Sequence, residues 1–417
     1  MIFMKIKKSL IIFLLSFGFF AAAQNSKVYR PEKDKIHDLV HTKLKVDFNF
    51  VKKQLNGEAW VTAKPHFYAT NKIILDAKAM IIKEISINNQ RLDFNYDDFK
   101  LIIDLPREYK KEEAFTLYIK YIARPEKVKQ KGSAFIKQAK GLYFINANGI
   151  DKNKPTQIWT HGETEANSCW FPTIDSPNQK TSQEIYITVP NRFKTLSNGQ
   201  LINQTKKGTN RTDYWKLDKK HAPYLFFMGV GEYEIIKDTY KNIPVHYYVE
   251  KEYAAYAKDI FGNTPEMIGF FADKLGVEYP WNKYSQIVAR DYVSGAMENT
   301  TAVIHGEKAY QKPGQLIDQN IQENTIAHEI FHHWFGNLVT TESWSNLTLN
   351  ESFANYGEYL WREYKYGKLN ADMHMQEVSE VYINGQNFNK DLVRFYYDDK
   401  EDVFDLVSYN KGGAILH

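Results

Sequence analysis

The stretch His328-Glu329-Ile330-Phe331-His332, followed nineteen positions later by Glu351 in Asn350-Glu351-Ser352-Phe353-Ala354-Asn355-Tyr356, decides how this 417-residue chain is read. Residues four apart share one face of an α-helix, so His328 and His332 can offer imidazole nitrogens to one ion while Glu329 projects beside them. From the composition, the chance expectation for such a pattern is on the order of 0.04, which weighs against two unrelated helix histidines. Glu351 opens a second helical pattern after the loop 336–345, and antiparallel packing of the two helices would return it to the histidine face. Two nitrogens and one carboxylate oxygen leave a fourth position for water, the arrangement of a catalytic rather than a structural zinc site. Bound zinc lowers the pKa of water to about 7, and Glu329 is the candidate base to take its proton. His333 points about 100° away from His332 on the same helix and is left to packing, outside the metal shell.

Outward from this centre the chain divides in two. Residues 39–230 read as strands: Leu44, Val46, Phe48 and Phe50 alternate with polar neighbours, the signature of a sheet with one buried face. Asn56-Gly57 is expected to turn the chain into a strand over 58–63. Further strands are expected at 73–75, 101–105, 115–122, 184–189 and 224–229, with another turn at Asn198-Gly199. Helical spacing then begins, over 251–275 with a cap at Gly276, over 316–334 and over 347–366, interrupted by a strand at 285–290. The expectation is an α+β multidomain chain, with an all-β, saddle- or sandwich-like domain over 24–235 and a catalytic domain over 236–417. A helix that starts near 410 and stops at His417 suggests a fragment of a longer protein, with the catalytic domain incomplete at its C-terminus.

The first 23 residues read as a cleaved export signal: a basic start to Lys8, an apolar run from Leu10 to Phe20, and Ala21-Ala22-Ala23 before Gln24. That run is too short to span a membrane, which takes about 20 apolar residues, so no stable transmembrane segment is expected after cleavage, and the product is periplasmic or extracellular. Without Lys5, Lys7 and Lys8 the net charge falls from +4 to +1, and no basic stripe argues for nucleic acid. The single cysteine, Cys169, allows no disulfide within the chain and reads as a small buried side chain.

The zinc-binding pattern resembles that of the aminopeptidase N-like zinc metallopeptidases, in which H-E-x-x-H is followed after eighteen residues by Glu. Gly295-Ala296-Met297-Glu298-Asn299 is similar to that family's exopeptidase sequence G-A-M-E-N, and Tyr409-Asn410-Lys411-Gly412 to its Tyr-x-Lys-Gly segment. Phe171-Pro172-Thr173-Ile174-Asp175 resembles F-P-x-x-D, and His161-Gly162-Glu163 resembles Gln-x-Glu with His in place of Gln. The resemblance implies a thermolysin-like zincin catalytic domain behind an N-terminal β domain. It also implies a zinc aminopeptidase acting on peptides with a free N-terminus. One Zn²⁺ would sit on His328, His332 and Glu351, with Glu329 and Tyr409 catalytic. Glu298, Glu163, Gly295, Ala296 and Met297 would bind substrate, and His161 would bear on specificity and gain charge below about pH 6.5. Two alternatives share parts of this pattern: a thermolysin-like endopeptidase with the same metal triad, and a surface binding module with an inert zinc site.

Overall fold

Leu44 and Val46 point into the core from the strand His37–Asn49, and Phe48 and Phe50 pack against Phe144 and Phe193. The computed structural model describes residues 28–417 except 130, 131, 134–138, 318, 319, 386 and 387, so the expected export signal lies outside the described residues. The alternating strands build an eight-stranded sheet in the order Gln200–Lys207, Asn210–His221, Thr181–Pro190, His37–Asn49, Gln54–Pro65, Phe115–Ala123, Met80–Ile87, Gln90–Arg91. A three-stranded sheet (Thr70–Asp76, Lys100–Tyr109, Phe94–Tyr96) accompanies it. A four-stranded sheet of Lys194–Ser197, Met228–Gly231, Gln157–Thr160 and Leu142–Ile145 leads the chain from Thr160 directly into His161-Gly162-Glu163.

Two local expectations in this half are corrected. The first turn lies over 50–53, with Lys53 at φ +51°, and Gly57 sits inside the strand Gln54–Pro65 opposite Tyr121. Close packing explains that glycine, since a Cβ there would lie 2.2 Å from Tyr121 Cζ. Asn198-Gly199 turns the chain as expected, with Gly199 at φ +76°, joining strands of two different sheets. Of 224–229 only its end belongs to a strand, Met228–Gly231. Pro223–Leu225 is a 3₁₀ turn whose carbonyls at Pro223 and Tyr224, with that of Phe226, all accept from Asn167 Nδ2.

The second half opens on a mixed five-stranded sheet ordered Glu234–Tyr240, Ile243–Val249, Tyr284–Ala289, Ala302–Gly306, Ala296–Met297. The helix expected over 251–275 is divided into a 3₁₀ segment Lys251–Tyr256, α1 (Ala257–Phe261) and α2 (Thr264–Leu275), because Pro265 has no N–H to carry the ladder through. It does end at Gly276, at φ +64°. The helix expected over 316–334 is only α3 (Glu323–Phe331). Before it, Asn320 accepts from Gln311 and from the Gln322 backbone and donates to the Ile260 carbonyl, which turns the chain. Beyond it, Gly336 at φ +132° turns the chain again. Then come α4 (Thr348–Tyr366), α5 (Lys368–Asn384), a π-helical turn Val407–Lys411 and α6 (Gly412–Leu416). Phe271, Ile330, Phe331 and Trp361 join α2, α3 and α4 in one buried cluster. No helix among the described residues is long and apolar enough to cross a membrane.

Burial drives the imidazoles of His161, His221 and His305 down to about 3, so all three are neutral at ordinary pH. The charge expected on His161 below pH 6.5 therefore does not arise in the folded chain. Unfolded, each would bind a proton near pH 6.5. Their stabilisation is complete above that pH and is lost as pH falls towards 3. In NMR of the imidazole rings all three are expected to stay neutral from about pH 7.5 to 5.5, and a ring whose shifts titrate near about pH 6.5 would show that it accepts a proton inside the fold.

Candidate metal centre

The Phe331 ring packs where Gly357 has no side chain, so α3 and α4 approach closely and Glu351 is carried back to the histidine face. Glu351 Oε2 lies 3.3 Å from His328 Nε2 and 3.5 Å from His332 Nε2. The candidate ligand atoms of the three residues all fall within 4.8 Å of one another. Glu298, Glu329 and His332 form a second such group, overlapping the first at His332.

The far side of each ring sets its orientation. His328 Nδ1 pairs with Glu358 Oε1 at 2.9 Å, and His332 Nδ1 with the Phe335 carbonyl at 3.0 Å. When each Nδ1 carries the proton, each Nε2 presents its lone pair to the centre. His333 faces elsewhere: its Nε2 accepts from the Thr301 backbone at 3.1 Å and its Nδ1 meets the Glu329 carbonyl at 3.0 Å. Its place is among the packed side chains, as the helical geometry implies.

A cavity of about 320 Å³ opens beside the triad, lined also by Glu163, Gly295, Ala296, Met297, Glu298, Glu329 and Tyr409. Glu163 follows the strand Gln157–Thr160 of the β half. Ala296–Met297 is the edge strand of the five-stranded sheet, paired with His305 and Ile304. Asn337 Nδ2 donates to the Glu298 carbonyl at 2.8 Å, holding this edge beside the loop after α3. The Tyr224 hydroxyl donates to Glu298 Oε1 at 3.5 Å and accepts from Asn350 Nδ2 at 3.1 Å, so one phenol links both halves of the chain to the site. Tyr409 stacks nearly parallel to His328, ring centres 6.1 Å apart. Its segment rests on α4, where Ser352 Oγ donates to the Ser408 carbonyl at 2.7 Å, and a Cβ on Gly412 would lie 1.8 Å from that Oγ.

Electrostatically the cavity sets several buried carboxyls against two imidazoles. Burial, then repulsion from Glu298, pushes the Glu163 carboxyl well above its usual range, and burial takes Glu329 up to about 8. Burial opposes charge on His332, yet the carboxylates of Glu298 and Glu351 outweigh it and hold the ring up to about 9. Burial likewise opposes charge on Glu351, but His332 and His328 bring it down to about 2. Glu163 Oε1 and Glu329 Oε2 are buried with no hydrogen-bond partner. Two imidazoles and one carboxylate fit a divalent ion, and the nitrogen-rich donor set with a place left open fits zinc.

Nearly every residue picked out from the sequence lines this cavity; His161 does not. Its ring is buried with Nδ1 2.7 Å from the Tyr292 hydroxyl, so it stands behind the cavity wall and is not a direct lining group. Cys169 is buried as expected. Sequence reasoning missed Glu358, Tyr224, Asn337 and Asn350. Glu358 carried a signal, two helical turns beyond Glu351 on the same face; the others come together only through the fold.

Two family models match the chain, the peptidase M1 N-terminal domain over residues 35–225 and the peptidase family M1 domain over residues 260–417. Glutamyl aminopeptidase of Bos taurus is 31% identical over 289 residues, covering 66% of this chain and 30% of its own. Aminopeptidase M1-B of Oryza sativa subsp. japonica is 26% identical, covering 67% of this chain and 33% of its own. The chain thus spans about a third of the length of these curated relatives. An M1 zinc metallopeptidase from Deinococcus radiodurans shares the fold with TM-score 0.70 at 20% identity, covering 91% of this chain and 82% of that one.

If Glu358 orients His328, Glu358→Ala is expected to weaken zinc binding about 10–100-fold in equilibrium dialysis. Unchanged zinc affinity would remove Glu358 from the centre.

Proposed function

The chain belongs to the M1 peptidase family, and from that premise we propose that it is a zinc-dependent aminopeptidase releasing the N-terminal residue of peptides. One observation carries this reading: two buried carboxylates, Glu163 and Glu298, face the same cavity as the triad, and Glu163 Oε1 has no partner. A free α-ammonium would satisfy that oxygen through charge-assisted hydrogen bonds and neutralise the pair. Anchoring the amine there also limits the reach of the substrate, so only its first peptide bond meets the reacting centre.

In this reading His328, His332 and Glu351 hold zinc, which when bound supplies a Lewis acid for the scissile carbonyl and acidifies water. Glu329 accepts the proton of the attacking water on its unpartnered Oε2 and passes it to the leaving amine. The Tyr409 hydroxyl donates to the carbonyl oxygen as negative charge grows there, an interaction stronger in the transition state than in the substrate. Gly295, Ala296 and Met297 flank the peptide with edge-strand backbone. His161 bears on specificity only at second hand, through Tyr292. We also propose that residues 1–23 direct export, supported by their basic start, apolar run and Ala21-Ala22-Ala23; a mature chain beginning at Gln24 would be read by intact mass.

Glu329→Gln is expected to retain zinc and lose turnover of an aminoacyl chromogenic substrate, and activity at the parent level would take Glu329 out of the chemistry. Tyr409→Phe is expected to lower kcat about 10²–10³-fold, as loss of one oxyanion donor does. An N-acetylated peptide should be refused; its cleavage would turn the assignment to an endopeptidase.

A further inference from the structure

We propose that His374, on α5, is a positioning residue for the zinc ligand His328 and acts through Glu358. Glu358 lies between the two rings. Its Oε1 pairs with His328 Nδ1 at 2.9 Å and accepts from Asn355 Nδ2 at 3.4 Å, while its Oε2 lies 3.3 Å from His374 Nε2. The three side chains His328, Glu358 and His374 are between 11% and 13% exposed, so little water competes for these contacts.

The terminal torsion of a glutamate is soft and nearly two-fold, and a carboxylate held by one oxygen can swing or exchange its oxygens. A ring nitrogen held against Oε2 within ion-pair distance narrows that freedom. The carboxylate plane then fixes the direction in which the His328 Nδ1–H is drawn, and with it the aim of Nε2 across the ring. His374 Nε2 is buried and makes no well-formed hydrogen bond, and Glu358 Oε2 at 3.3 Å is the acceptor within its reach among the described residues. The same helix also steadies the other wall of the cavity: the Val378 carbonyl accepts from Asn410 Nδ2 at 3.1 Å, next to Tyr409. α5 therefore reaches a metal ligand on one side and the oxyanion segment on the other, without lining the cavity itself.

The inference rests on the metal-centre reading, and the test separates the two. Zinc affinity of the full chain is measured by chelator competition, and the visible bands of the Co²⁺-substituted protein are recorded. His374→Leu, which has no N–H to offer, is expected to raise the zinc Kd about 3–10-fold, below the loss for a partner touching the ligand, and to shift the Co²⁺ bands. His374→Gln, which keeps an N–H at similar reach, is expected to restore both. Parent-like Kd and bands in the Leu variant would overturn the proposal, and so would a Gln variant as impaired as the Leu variant, which would make His374 a matter of shape. A parent chain that takes up no zinc would end the metal-centre reading itself.

Discussion

Everything in this molecule answers to one electrostatic constraint: four carboxylates, Glu163, Glu298, Glu329 and Glu351, are buried around a single small cavity. Gathering like charges away from water is unfavourable, and only Glu351 meets cationic partners close enough to hold it ionised. The others are left with their carboxyls pushed up and, in two cases, an oxygen unpartnered. A fold keeps such a place when something cationic is meant to complete it. Two helices and two sheet edges have to converge within a few ångströms to arrange this.

Convergence depends on braces that run between the halves of the chain. Asn198 Nδ2 donates to the Thr300 carbonyl at 2.7 Å, and the Gly199 N–H to Thr301 Oγ1 at 2.7 Å. The Thr301 N–H in turn donates to His333, whose other nitrogen meets the Glu329 carbonyl. A tight turn of the β half is thus tied, through three links, to the backbone of the proposed base. Thr164 Oγ1 adds a second tie, donating to Glu401 at 2.6 Å beside Glu163.

The legible part of the sequence was what lies in one short segment or follows a simple period. The helix of His328 and His332, the approach of Glu351 and the alternation of Leu44 and Val46 are all of this kind. What could not be read was decided by neighbours distant in the chain. Gly57 resembles a turn residue until Tyr121 is seen lying over it, and the start of α3 depends on Asn320 reaching Gln311 and Ile260. His161, expected at the substrate, is held back by the hydroxyl of Tyr292, a hundred and thirty-one residues away.

Glu323 stands at the N-terminal end of α3, and its carboxylate accepts from Asn263 at 3.0 Å, from Trp361 at 2.8 Å and from Tyr366 at 2.6 Å. Trp361 and Tyr366 belong to α4, so the helix pair is riveted at this end independently of any ion. Sliding one helix past the other would break several buried bonds at once. The entropy of bringing two imidazoles and a carboxylate together is therefore surrendered while the chain folds, and metal capture meets a preorganised claw.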